Sequence, residues 1–163
     1  MDFYIEVKIL KIQSKILGEI EIEESAIIHF PDGIPAFEEE RRFAIVPMDE
    51  SGPFYYLQAV NRPELCLVIA DPFVFFPDYQ VEVPEPELQR IQAEEGKNIS
   101  LLSVLTIPDD FRQTTANLFA PLLIDTGSKK GIQFIPEKSL YSTKHSIFTS
   151  ESSAAPAAAG QGE

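Results

Sequence analysis

Along most of this chain apolar and polar residues alternate with the two-residue period of strands. Phe3, Ile5, Val7 and Ile9 alternate with more polar neighbours, which predicts a half-buried first strand. Gly18 permits a turn, and Glu19-Ile20-Glu21-Ile22-Glu23 then alternates strictly, with isoleucines expected on a core and glutamates in water. A short apolar run at 26–30 leads into a proline-rich loop, and Arg42-Phe43-Ala44-Ile45-Val46 reads as a strand ended by Pro47. Residues 54–60 and 65–70 read as paired strands joined through Asn61-Arg62-Pro63. The second is apolar throughout, as expected of a central strand buried on both faces. Phe73-Val74-Phe75-Phe76, bracketed by Pro72 and Pro77, is an aromatic-rich connection, and Val81 and Val83 predict a short edge strand stopped by Pro84.

One helix is expected, over residues 85–95. Pro84 or Pro86 starts it, Glu85 and Glu87 favour its N-terminal dipole, and Leu88, Ile91 and Gln92 supply one face. Gly96 is placed to end it. Strand character returns at 99–107, 114–118 and 122–125, and Thr126-Gly127-Ser128-Lys129-Lys130-Gly131 forms a hairpin loop to a strand at 132–135. Many short strands with one helix predict a mainly all-β fold, a compact antiparallel β-barrel-like or sandwich domain over residues 1–149. Residues 150–163 are mostly Ser, Ala, Pro and Gly with almost nothing to bury, and are expected to form a disordered tail.

The 163 residues suit one domain, and 44% hydrophobic content is ordinary for a globular chain. No apolar run approaches the roughly 18 residues of a membrane-spanning helix. The N-terminus lacks the basic segment and continuous apolar stretch of a secretory signal. Cys66 is the single cysteine, so no intrachain disulfide can form, and a cytoplasmic location is expected. Net charge is −13, and its distribution is uneven. Residues 19–95 hold 18 Asp or Glu against four Arg and no Lys, while the rest of the chain is close to neutral. Such an acidic field repels a phosphate backbone and speeds encounter with a basic partner, so direct nucleic-acid binding is disfavoured.

Signs of catalysis are missing. The chain has no phosphate-cradling Gly-x-x-x-x-Gly-Lys, no dinucleotide glycine motif and no Gly-x-Ser-x-Gly elbow. His29 and His145 are the only histidines, and neither has another histidine or a cysteine at ligand spacing. Cys66 lies in an apolar strand, where a free thiol behaves as a small hydrophobe. No catalytic residue, metal or cofactor is expected. Phe37, Phe54, Tyr55, Tyr56, Phe73, Phe75, Phe76 and Tyr79 exceed the needs of tight turns. Those beside prolines and acids suit an interface, where aromatic anchors inside a polar rim carry much of the affinity.

The most informative segment is Phe30-Pro31-Asp32-Gly33-Ile34-Pro35-Ala36-Phe37-Glu38. Two prolines fix φ, Gly33 can take positive φ, and three large apolar side chains are spaced through what would otherwise be a bland turn. Further on come Phe54-Tyr55-Tyr56-Leu57-Gln58, Asp71-Pro72-Phe73, Asn117-Leu118-Phe119-Ala120-Pro121 and Gly131-Ile132-Gln133. In order and spacing, from about residue 11 to residue 145, this set resembles the signature of the FliW flagellar assembly factors. One position departs: that family reads Gly-Ile-Pro-Gly-Phe-Glu, and here the second glycine is Ala36. Alanine lacks easy access to positive φ, so a somewhat stiffer loop is expected.

The resemblance implies a non-enzymatic cytoplasmic protein with two competing partners. One is flagellin, through its C-terminal region. The other is CsrA, a small dimeric RNA-binding repressor that releases flagellin mRNA when captured. Candidate partner-binding residues are Ile34, Phe37, Glu38, Glu39, Glu40, Asn117 and Leu118. Phe37 is either an exposed anchor or a plug folded into the barrel, and Asn117 bonds backbone groups within the chain or on a partner. Two other readings remain open at this point, a small-ligand-binding β-barrel and a general helix-binding export chaperone.

Overall fold

The structure, a computed structural model, describes residues 6–94 and 96–148. The tail expected over 150–163 and the first two apolar positions of the expected N-terminal strand, Phe3 and Ile5, lie outside the described residues.

Among the described residues eleven strands are formed: β1 Ile9–Ser14, β2 Gly18–Glu23, β3 Ile28–His29, β4 Arg42–Pro47, β5 Phe54–Ala59, β6 Cys66–Ala70, β7 Ile99–Thr106, β8 Thr115–Ala116, β9 Leu122–Asp125, β10 Lys130–Gln133 and β11 His145–Ser146. Seven of them close into a barrel in the order β7-β6-β5-β4-β3-β10-β9, with β9 returning to pair with β7. The pairings are antiparallel except that of β3 with β10, a parallel bridge through His29 and Lys130. Closure removes exposed sheet edges from the seven strands, and β8 and β11 extend the sheet beyond the far end of β7. Phe30, Phe43, Leu57, Ile69, Leu122 and Ile124 fill the main core, and Phe30 meets Phe43 edge-on with centroids 5.3 Å apart. A second apolar cluster beneath β8 and β11 contains Phe76, Tyr79, Leu118 and Ile147.

β1 and β2 make a separate hairpin, and the strict Glu/Ile alternation of β2 is realised as expected. Its partner differs from the expectation. Leu10 and Ile12 face Ile22 and Ile20 and pack towards Ile27 and Ala44, while Val7 and Ile9 are exposed. Cross-strand register decides which apolar residues face inward, and a one-residue shift of phase reverses them all.

The helix, α1, is shorter than expected and runs Glu85–Arg90. Gln92, not Gly96, ends it: Gln92 sits at φ 54°, its N–H bonds to Gln89 and that of Ala93 bonds to Leu88, a Schellman closure. Ile91 is fully buried with Leu123, Ile132 and Phe134, which draws the chain inward before another turn can form. Val81 and Val83 pack half-buried against the same cluster but form no strand. β6 lies centrally between β5 and β7, although only Ile69 and Ala70 of it are fully enclosed. The β9–β10 loop is tighter than expected, so β10 begins at Lys130 and Ile135 is left exposed.

Candidate partner-binding surface

The proline loop between β3 and β4 is a run of tight turns nailed to the barrel. The N–H of Gly33 bonds to Phe30 at 2.9 Å, that of Phe37 to Ile34 at 2.7 Å and that of Glu40 to Phe37 at 3.0 Å. The Phe30 N–H reaches back to Arg41 at 2.8 Å and closes the base. Gly33 is required twice over: φ is 68°, and a Cβ there would stand 2.4 Å from the Glu38 carbonyl oxygen.

Ala36 takes the positive φ that its side chain disfavours. It adopts φ 80°, the conformation a glycine would favour, and its N–H donates to the Glu38 carboxylate at 3.2 Å. The loop therefore carries strain at this residue instead of avoiding the left-handed region.

Among the candidate residues, five lie together on this loop. Ile34 is buried in the main core and presents almost no surface; it anchors the loop from beneath. Phe37 is half-buried, with the main core on one side and the Arg62 guanidinium 5.6 Å above its ring centroid. It is thus neither a fully sunk plug nor a freely projecting ring. Glu38 and Glu39 are exposed and Glu40 is half-buried. Asn117 and Leu118 belong to the second apolar cluster region rather than to the loop. Asn117 Oδ1 accepts the Ala120 N–H at 3.0 Å, one of the two roles foreseen for it. Leu118 is buried, and its carbonyl accepts the Tyr79 hydroxyl at 2.7 Å. Burial pushes the Tyr79 phenol pKa up, which keeps it a donor.

Two features of the surface were not anticipated. Arg62, on the β5–β6 turn, reaches Glu39 at 3.5 Å and Glu64 at 3.3 Å. Arg90, on α1, pairs with Asp32 of the loop and with Glu87. The available signal was that arginines are the only cations in a strongly acidic stretch, so each has carboxylates to choose from. Asp32, Gly33, Pro35, Glu38, Arg90, Ile132 and Gln133 line a shallow depression of about 230 Å³ beside the loop. That is below the 300–1,000 Å³ of ordinary small-molecule sites.

Elsewhere, His29 is exposed on β3 opposite Arg42. Burial pushes the Cys66 thiol pKa up, away from the thiolate a nucleophile needs. Among the described residues no three His, Cys, Asp or Glu side chains are grouped to hold a metal, and no helix is long and apolar enough to cross a membrane.

Comparison with known proteins agrees with this fold. Flagellar assembly factor FliW of Syntrophomonas wolfei subsp. wolfei is 54% identical over 139 residues, covering 85% of this chain and 89% of that protein. The protein of the same description from Geobacillus kaustophilus is 40% identical, covering 85% of this chain and 96% of its own length. A crystal structure of the flagellar assembly factor FliW superposes with a TM-score of 0.81 at 38% identity, covering 86% of this chain and 99% of that one. The sequence profile described as FliW protein matches residues 11–147, and with the closed barrel and relatives this similar the chain belongs to the FliW family.

Proposed function

We propose that this chain is a non-enzymatic, cytoplasmic flagellar assembly factor that captures the translational repressor CsrA and, in competition, the C-terminal region of flagellin. Membership of the family supports the flagellar role. The observation that carries the binding reading is the construction of the proline loop: Ile34 is buried in the barrel and Phe37 rests half-buried against it, while Glu38 and Glu39 stand in solvent. A rigid acidic rim meets a basic RNA-binding protein with little ordering cost and with electrostatic steering. Flagellin leaving the cell would free the surface for CsrA, and CsrA capture would release flagellin mRNA. No direct contact with nucleic acid or membrane is part of this reading.

The test is to mix the purified chain with CsrA and with flagellin, singly and together, and separate the complexes by size. Two binary complexes and no ternary one are expected. Absence of both binary complexes would overturn the reading and favour a ligand-binding barrel, whereas equal binding of flagellin and of other helical export substrates would favour a general helix-binding chaperone.

A further inference from the structure

The β5–β6 turn lays Arg62 against the proline loop so that one aromatic face and two carboxylates converge on a single guanidinium. Its central carbon is 5.6 Å from the Phe37 centroid, Nη1 is 3.5 Å from Glu39 and Nε is 3.3 Å from Glu64. The ring and the turn backbone of this cradle are held without help from that guanidinium, while the Glu39 and Glu64 carboxylates meet it from exposed side chains. Phe37 rests on the main core and its N–H is tied to Ile34. The turn bearing Glu64 is fixed by the fully buried Gln58, whose amide donates to the Arg62 and Pro63 carbonyls at 3.1 and 3.4 Å. The Pro63 carbonyl also accepts the Lys15 N–H at 2.9 Å. Arg62 itself is bound loosely: its side chain keeps 35% of its exposure, and Glu39 and Glu64 keep 70% and 52%. Contacts this exposed hold an arginine weakly, so an equivalent cation can replace it.

We propose that the Phe37–Glu39–Glu64 cradle is a receptor for an arginine of a basic protein partner, and that Arg62 is its resident competitor. On docking, the incoming guanidinium takes the ring face and the two carboxylates while Arg62 turns out to solvent. Few interactions are lost in the exchange, and the acidic stretch around the cradle favours the added positive charge. Arginine is selected over lysine because a planar, forked cation can stack on a ring and reach two carboxylates at once. This deepens the proposal of a basic partner and rests on it.

The probes are fluorescein-labelled octa-arginine and octa-lysine peptides, titrated at low salt against the full chain with anisotropy as the readout. A tethered competitor acts at an effective concentration of millimolar or more, so Arg62→Ala is expected to tighten octa-arginine binding by about 3- to 10-fold. Arg112→Ala, on the turn between β7 and β8, changes net charge equally and serves as the control; its gain is expected to be smaller. The gain should vanish in Arg62→Ala combined with Phe37→Leu, and it should be absent for octa-lysine. No gain, or equal gains from Arg62→Ala and Arg112→Ala, would overturn the exchange. If CsrA still forms a complex in that case, only this inference fails; if CsrA does not bind either, the reading beneath it fails too.

Discussion

The backbone N–H of Ala36 donates to the Glu38 carboxylate at 3.2 Å across a residue held at φ 80°. A non-glycine residue in this region is strained by roughly 1–2 kcal/mol, and glycine relieves the strain but gains freedom in the unfolded chain. Ala36→Gly is therefore expected to stabilise the fold by about 0.5–1 kcal/mol, the balance of those two effects. Urea unfolding checks it; a less stable variant would mean that the residue is not strained.

Gly33 carries the opposite demand. Its missing Cβ leaves room for the Glu38 backbone, which cannot shift without moving the whole loop. Gly33→Ala should lower stability by more than about 2 kcal/mol through overlap and positive φ together. A melt within 1 °C of the unaltered chain would contradict the close approach.

Phe37 divides its ring between core and Arg62, so Phe37→Ala should cost about 1–2 kcal/mol of stability, short of the 3–5 kcal/mol of a fully buried phenylalanine. The same variant is expected to weaken the CsrA complex by roughly 2 kcal/mol, as loss of an aromatic anchor does. Parallel melts and titrations separate the two effects, and full affinity in a folded variant would remove Phe37 from the interface.

His145 gives the molecule a pH dependence. Its Nε2 accepts the Ser142 N–H at 2.9 Å, and the ring lies between Phe76 and Tyr141 with centroids 6.0 and 5.9 Å away. Burial holds its pKa below the ordinary 6.5. The unfolded chain then takes up a proton first, so this contribution is complete above pH 6.5 and is lost as pH falls through the folded-state value. Urea midpoints measured between pH 8 and 5 should decline below about 6.5, and His145→Gln should flatten that decline. Parallel curves for the two chains would show that His145 does not titrate in this window. Glu64, held below its ordinary 4.5 chiefly by a backbone hydrogen bond and then by Arg62, acts only at lower pH.

Much of this was legible because strand periodicity and turn chemistry are local. β2 announced itself by strict alternation, β5 and β6 by apolar runs about a proline turn, and the loop by two prolines and a glycine. What escaped depends on distant partners. The inward phase of β1 is set by its pairing with β2, and the early end of α1 by burial of Ile91. β11 is a two-residue strand that exists only because Ala116 and Thr115 lie beside it. At the candidate site, the acids and Phe37 were readable in sequence, but the burial of Ile34 and Leu118 and the arrival of Arg62 from another turn were not. Such contacts follow from which strands and loops are brought side by side, which no short window of sequence encodes.

The central claim is that the proline loop offers an acidic rim to a basic partner, and the association rate with CsrA tests it most directly. Glu38→Gln, Glu39→Gln and Glu40→Gln made together remove the charge while each glutamine keeps an acceptor oxygen, so the bond from Ala36 can persist. Stopped-flow association at a series of salt concentrations should be slower for this variant at low salt, with a flatter salt dependence and an unchanged melt. Association as fast as that of the unaltered chain at low salt, with the same salt slope, would contradict the claim and leave these carboxylates as solvated surface.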